Sequence, residues 1–229
     1  RPDEVASFDP GGWRYPLAVS ILAGDSLDVA GEYKGERVKP FSIIRMIINA
    51  LVKPKQRIRI HEIPKGMVID IGGGGEGVIA QAGGAGVVAV DRHMSEIHEA
   101  RGKAPECLWV VADATELPYG NNCFDNATAF FSCMYMPDNT KESVFRETRR
   151  VLKKGGEFWI WDVPMAARSN VFAVRLLVDF HEDTMRTVYG VKAKDQSAAS
   201  ICSQLHQAGF ETEVITNRKH WFLINAKRV

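Results

Sequence analysis

The sequence predicts an α/β fold: a doubly wound, seven-stranded sheet, mostly parallel, closed by a C-terminal antiparallel hairpin and preceded by an N-terminal helical extension. Three observations carry this reading. From Met67 onward, short apolar runs alternate with stretches of helical periodicity, the pattern of a parallel sheet with helices on both faces. The first run, Met67-Val68-Ile69-Asp70-Ile71, passes straight into Gly72, Gly73, Gly74, Gly75 and Gly77, and a helical pattern then starts at Val78 and Ile79. The last two apolar runs, 211–216 and 221–226, are separated only by 217–220, so they must pair antiparallel.

Taken in order, residues 1–60 form the predicted helical extension or cover, and 61–229 the main domain with an insertion at 164–194. Within the extension, 15–22 is an apolar patch suited to a short helix. Residues 39–53 read as an amphipathic helix, with Ile43, Ile44, Ile47, Ile48 and Leu51 on one face and Pro54 at its end. Arg57-Ile58-Arg59-Ile60 alternates as a short strand does, its arginines in solvent. After the glycines, 87–90 is the second strand and ends in Asp91. A polar helix over 94–100 follows, then a third strand over 108–111 ending in Ala112-Asp113. The fourth strand, 126–131, follows a turn at 121–125.

The helix predicted over 140–154 has Asn139 and Glu142 at capping-box spacing. Its carboxyl end carries Arg149, Arg150, Lys153 and Lys154, which complement the helix dipole, and Gly155 or Gly156 supplies the stop. A fifth strand at 157–162 is closed by Pro164. The insertion breaks the alternation there, and its apolar run, 171–180, fits a strand or a helix. A helix over 197–208, stopped by Gly209, leads into the closing hairpin.

Composition excludes several function classes. A net charge of +1 offers no global attraction to nucleic acid or to an anionic membrane. Cys107, Cys123, Cys133 and Cys202 are widely spaced without a C-x-x-C pair, which argues against zinc or a disulfide framework and for reduced thiols in a cytoplasmic protein. No metal site is expected. The longest apolar cluster, 41–52, is interrupted by Ser42, Arg45 and Asn49 and is too short to span a bilayer; no secretory signal is visible.

The glycine loop is where chemistry concentrates. A strand, a glycine turn and a helix start make a nucleotide-type cofactor site, because glycines let the backbone approach a ligand closely. Gly72-x-Gly74-x-x-Gly77, with Asp91 further on, literally fits the dinucleotide fingerprint, so an NAD(P)-dependent oxidoreductase is one reading. Charge favours another. Asp70 and Glu76 bracket the loop and would repel a pyrophosphate, whereas a ligand carrying an ammonium and a sulfonium, S-adenosylmethionine, would be welcomed.

Five segments then resemble one family: Val-Ile-Asp-Ile-Gly-Gly-Gly at 68–74, Val-Ala-Val-Asp at 88–91 and Ala-Asp-Ala-Thr-Glu-Leu-Pro-Tyr at 112–119, followed by Cys-Phe-Asp at 123–125 and Phe-Arg-Glu-Thr-Arg-Arg-Val-Leu-Lys-Lys-Gly-Gly-Glu-Phe at 145–158. In this order they resemble the class I S-adenosylmethionine-dependent methyltransferases, which have a Rossmann-like fold, and among them the small-molecule group that includes ubiquinone and menaquinone C-methyltransferases. The resemblance implies roles for individual residues. Asp70 would support the methionine amino group and Gly72, Gly73, Gly74 and Gly77 would line the cofactor. Asp91 would take both ribose hydroxyls, and Asp113 with the amide of Ala114 would read adenine, flanked by Arg92 and His93. Phe130 and Phe131 stand where amino-group methyltransferases often carry Asn/Asp-Pro-Pro-Tyr, and the absence of that tetrapeptide argues against an exocyclic amine on DNA or protein as acceptor.

The expectation is therefore a methyltransferase acting on a small molecule, with a non-catalytic S-adenosylmethionine-binding protein as an alternative on the same fold. The insertion is expected to cover the cofactor pocket with His181 or Tyr189 pointing inward, the competing expectation being a homodimer surface. Tyr15 and Tyr135 are further polar candidates, and His181 and Tyr135 are weak candidates for a general base.

Overall fold

The computed structural model describes residues 56–60, 62–169, 171–181 and 183–229. The patch at 15–22 with Tyr15, and the helix expected over 39–53, lie outside the described residues. In chain order the strands are β1 (Gln56–Ile60), β2 (Val68–Ile71), β3 (Val87–Asp91), β4 (Leu108–Val111), β5 (Phe124–Phe130), β6 (Leu152–Asp162), β7 (Val171–Phe180), β8 (Asp183–Lys192), β9 (Phe210–Asn217) and β10 (Phe222–Arg228). The α-helices are α1 (Val78–Gly83), α2 (Met94–Arg101), α3 (Asp138–Val151) and α4 (Ala198–Gln207).

Seven strands form the main sheet in the order β4-β3-β2-β5-β6-β10-β9. All neighbouring pairs from β4 to β6 are parallel. β10 is antiparallel to both β6 and β9, so it alone is reversed and β9 runs with the central strands. Strand order reverses direction across β2 and β5, and the cleft of an open α/β sheet lies outside the carboxyl ends of the strands at such a switch point. β2 is buried at every position, which explains its unbroken apolar character apart from Asp70.

The insertion is a long β-hairpin. β7 and β8 pair antiparallel from Val171↔Lys192 to Phe180↔Asp183, and β1 pairs parallel with β7, giving a second sheet in the order β1-β7-β8. The run that fits helix or strand is thus a strand. β1, placed at the end of the helical extension by the sequence, packs with the hairpin rather than apart from it. Ile58, Phe172, Val174, Leu176 and Val178 are buried in the same apolar cluster as Val68, Val78 and Val87 of the main domain, so the hairpin's inner face packs inward.

Two expectations about α3 fail. It starts at Asp138 with Pro137 at the N-cap and no side-chain cap; Asn139 Oδ1 instead accepts from its neighbour Thr140 N at 2.9 Å, so no capping box forms. Nor does Gly155 or Gly156 stop it. The chain passes from Val151 directly into β6, and both glycines sit within that strand, where pairing with β5 slips between Phe124↔Leu152 and Asn126↔Glu157. The basic residues near the end are tied down: Arg149 donates to the carbonyls of Gly209 and Val229, and Arg150 to Glu147 and the carbonyls of Tyr119 and Leu117. A capping box does form on α4, between Ser197 and Ser200.

Candidate active site

A cleft of about 790 Å³ opens at the carboxyl ends of β2, β3, β4 and β5, within the range of roughly 300–1,000 Å³ common for small-molecule sites. Every residue assigned to the cofactor from sequence lines it: Asp70, Gly72, Gly73, Gly74, Gly77, Asp91, Arg92, His93, Asp113, Ala114, Phe130 and Phe131. Tyr135, Thr187 and Tyr189 line it from the other side.

The loop after β2 shows why glycine is required there. Gly72 has φ +71° and a Cβ on it would stand 2.7 Å from the Ser132 Cβ; a Cβ on Gly73 would stand 2.4 Å from Asp70 Oδ2. The amides of Gly72 and Gly73 donate to Val90 O at 2.8 and 3.1 Å, which holds the turn against β3. Gly77 has a second task besides lining the cleft. It caps α1 in the left-handed conformation, and its missing Cβ leaves room for Trp109 and Ala100, so helix packing also requires glycine there.

Asp70 is fully buried in β2, and Thr128 Oγ1 on β5 donates to its Oδ1 at 2.8 Å. Burial pushes its pKa up to about 7, against the pull of the Thr128 hydrogen bond and with a further push from Asp91. Asp91 ends β3 and accepts two backbone N–H groups, Gly74 N at 3.2 Å on Oδ2 and His93 N at 2.9 Å on Oδ1. Each carboxylate oxygen keeps further acceptor capacity. Asp113 accepts both the amide and the hydroxyl of Thr115 on Oδ1, at 2.8 and 2.7 Å, and these bonds hold its carboxyl below the usual range. Arg92 Nε donates to His93 Nε2 at 3.0 Å on the exposed rim.

The charges around the loop differ from the expectation at Glu76. Glu76 does not turn its charge into the cleft unopposed, because Lys103 Nζ meets Glu76 Oε2 at 2.8 Å and also donates to Gly75 O. Glu96 takes its place: its side chain leans over the loop, where a Cβ on Gly75 would lie 2.8 Å from Glu96 Oε2. The cleft thus sets the carboxyl groups of Asp70, Asp91, Asp113 and Glu96 against the one guanidinium of Arg92 in its lining, an acid-rich set that suits a cationic ligand bearing hydroxyls better than a pyrophosphate. This cradle fits S-adenosylmethionine and not a dinucleotide.

The opposite wall is aromatic. Tyr189 of β8 stacks on Phe131, with ring centroids 5.2 Å apart and an interplanar angle of 14°, and meets Phe130 edge-on at 6.3 Å. Phe131 holds φ +54°, a left-handed conformation costly for a bulky residue; such strain persists where surrounding structure imposes it. Burial pushes the Tyr189 phenol up. His181 does not point inward. It sits at the β7–β8 turn with its Nε2 2.9 Å from Ala82 O, away from the cleft.

Sequence reasoning missed Thr128, Ser132 and Glu96. Ser132 Oγ donates to Ile71 O at 2.7 Å and so supports the glycine turn. It also missed a buried relay behind the cleft: Lys141 Nζ donates to Gln196 Oε1 at 3.2 Å, Gln196 Nε2 donates to Asp162 Oδ1 at 2.9 Å, and Met134 N donates to Asp162 Oδ2 at 3.0 Å. Among the described residues, no group of three or more His, Cys, Asp or Glu side chains is placed to hold a metal ion. None of their helices is long and apolar enough to cross a membrane.

Comparison with known proteins agrees with this geometry. Residues 69–160 match a family described as a methyltransferase domain. The chain is 26% identical over 161 residues to a demethylmenaquinone methyltransferase of Renibacterium salmoninarum, covering 69% of this chain and 57% of that protein. It is 32% identical over 105 residues to a ubiquinone/menaquinone biosynthesis C-methyltransferase of Acidiphilium cryptum, covering 42% of this chain and 41% of that protein. The chain therefore spans less than two thirds of the length of either relative. Among solved structures, an S-adenosylmethionine-dependent methyltransferase from Mesorhizobium loti superposes with a TM-score of 0.54 at 18% identity, over 72% of this chain and 94% of that one, a likeness of fold. The nicotinamide-dependent reading of the glycine fingerprint finds no support in these matches or in the acidic cleft.

Proposed function

We propose that the chain is a class I S-adenosylmethionine-dependent methyltransferase that transfers a methyl group from S-adenosylmethionine to a small-molecule acceptor, a reading supported by the methyltransferase-domain match over 69–160 and by the relatives named above. The observation that carries this reading is the convergence of Asp70, Asp91 and Asp113 on one cleft whose far wall is aromatic. When bound, the cofactor supplies a methyl group already activated by a positive sulfur, so in-line displacement needs alignment and dryness more than acid–base help.

In this proposal Asp70 faces the ammonium, Asp91 accepts from the ribose hydroxyls, and Asp113 and the Ala114 amide read the adenine edge between Arg92 and His93. Gly72, Gly73 and Gly74 keep the space open. Phe130, Phe131 and Tyr189 exclude water and give an apolar acceptor a flat surface to lie on. Tyr189, its phenol pushed up by burial, holds its proton at neutral pH and acts as a donor toward an acceptor oxygen rather than as a base. The acceptor's proton, where it has one, leaves to water. The named relatives are a demethylmenaquinone methyltransferase and a ubiquinone/menaquinone biosynthesis C-methyltransferase, and an apolar ring compound suits the aromatic wall of this cleft. The four free thiols suit a reducing, cytoplasmic setting.

Incubating the protein with methyl-labelled S-adenosylmethionine and a fractionated cell extract tests the reading. Label is expected in a small-molecule fraction. Label in protein or nucleic acid would overturn the acceptor class, and cofactor binding without any transfer would favour the non-catalytic binder.

A further inference from the structure

Every acid lining the cleft but one is already engaged. Asp70 accepts from Thr128, Asp91 from the amides of Gly74 and His93, and Asp113 from Thr115. Glu76 and Glu99 share the ammonium of Lys103. Glu96 is the exception: it lies in the first turn of α2, and its carboxylate meets no hydrogen-bond or ion-pair partner among the described residues. Its backbone is nevertheless fixed, because Gly75 N donates to Glu96 O at 2.9 Å and fastens α2 to the glycine loop.

That loop orders the carboxylates along the cleft. A Cβ on Gly73 would stand 2.4 Å from Asp70 Oδ2, and one on Gly74 would stand 2.8 Å from Asp91 Oδ2 and 2.6 Å from Glu96 Cβ. Asp91 and Glu96 thus flank Gly74, and Glu96 Oε2 reaches on over Gly75. Tyr135 stands on the far side. Burial pushes its phenol up to about 12, and Asp162 and Glu96 push the same way, so the Glu96 charge is felt across the opening. With the ammonium at Asp70 and the ribose at Asp91, the cofactor's own covalent skeleton puts its sulfur between those two carboxylates. Both are then occupied, Asp70 by the ammonium and Asp91 by hydroxyls. Glu96 is the free carboxylate beside them.

We propose that Glu96 reads the charge on the cofactor's sulfur and raises affinity for S-adenosylmethionine relative to S-adenosylhomocysteine. Methyl transfer breaks the carbon–sulfur bond and leaves its electron pair on sulfur, so the positive charge disappears and the attraction of Glu96 goes with it. Spent cofactor thereby loses a contact that fresh cofactor had, which favours exchange of one for the other. Glu96 is exposed, so water and salt screen the attraction and keep its effect modest. This role rests on the reading of the cleft as an S-adenosylmethionine site.

Calorimetric titration of the full chain with S-adenosylmethionine and with S-adenosylhomocysteine tests it, in wild type, Glu96→Gln and Glu96→Asp. Glu96→Gln keeps the side chain's size and breaks no side-chain bond among the described residues, and circular dichroism checks that both variants keep the fold. Glu96→Gln is expected to bind S-adenosylmethionine about fivefold more weakly and S-adenosylhomocysteine as wild type does. Glu96→Asp should keep part of the difference, and high salt should weaken S-adenosylmethionine binding more in wild type than in Glu96→Gln. An unchanged ratio of the two affinities in Glu96→Gln would overturn the proposal. Equal losses for both ligands would do so too, since they would assign Glu96 to the ribose or the ammonium, which both ligands carry. A wild-type chain that binds neither ligand would remove the S-adenosylmethionine reading itself, and this role with it, an outcome distinct from binding that ignores Glu96.

Discussion

The hydroxyl of Thr128 donates to Asp70 at 2.8 Å across the β2–β5 pair, where neither side chain reaches solvent. A carboxylate in that position is costly to ionise, and its pKa of about 7 expresses the cost. In the proposed cofactor site that cost is offset by the ligand's ammonium, received from the open side of the cleft.

A pH dependence follows with a definite sign. Asp70 has its folded pKa above the unfolded value of 3.8, so the native state holds the extra proton and apo stability falls as pH rises toward and through about 7. Asp162, pushed up to about 6 by burial, acts in the same direction. A cationic cofactor selects ionised Asp70, so its affinity should climb over the same window. Thermal unfolding with and without S-adenosylhomocysteine should show a ligand-induced rise in Tm that widens between about pH 6 and about pH 8. Thr128→Val should move that window upward, since the bond favouring the carboxylate is gone; an identical window in the variant would contradict the account.

Asp91→Ala should weaken cofactor binding by about 1.5–3 kcal/mol, the scale of lost hydrogen bonds to a charged group. It also frees Gly74 N and His93 N, so Asp91→Asn, which keeps one acceptor oxygen, should lose less. Calorimetric titration of both variants checks the ranking. Equal affinity in Asp91→Ala and wild type would remove Asp91 from the site.

Tyr189→Ala removes the ring stacked on Phe131 and opens the cleft from the hairpin side. Cofactor affinity should stay close to wild type while methyl transfer falls by at least about tenfold, because water enters and the acceptor loses its surface. Tyr189→Phe keeps the stack and isolates the hydroxyl. If Tyr189→Ala transfers methyl groups at the wild-type rate, the hairpin is no part of the acceptor site.

Gln196→Leu should destabilise the fold by about 2–5 kcal/mol, since buried Asp162 and buried Lys141 both lose the amide that joins them. Urea unfolding measures it. A loss well under about 1 kcal/mol would mean that water or Asp138, which already meets Lys141 at 2.8 Å, satisfies both groups.

The central sheet was legible because its strands announce themselves. β2 and β3 are continuous apolar runs, and β9 and β10 are too close in sequence for any crossover. The cleft positions of Asp91 and Asp113 were legible for a related reason: both come at or just after the carboxyl ends of strands, where the cleft of an open α/β sheet opens. The hairpin was not legible. In β7, Arg175 and Asp179 are four residues apart, a spacing that shares a face in a helix and in a strand alike, and the local sequence contains nothing to choose between them. Pairing with β1, over a hundred residues earlier, makes the choice. Thr128 and Ser132 were missed because an isolated hydroxyl in or beside an apolar strand carries no pattern until its partner across the sheet is known. The capping box at Asn139 and Glu142 failed for the opposite reason: the spacing was present, but the chain enters α3 two residues earlier, from Pro137.

The most direct test of the central claim is a calorimetric titration of the full chain with S-adenosylhomocysteine and, separately, with NAD. The account predicts saturable binding of S-adenosylhomocysteine at one site per chain, weakened in Asp91→Ala, and no binding of NAD. Binding of NAD with none of S-adenosylhomocysteine would contradict it.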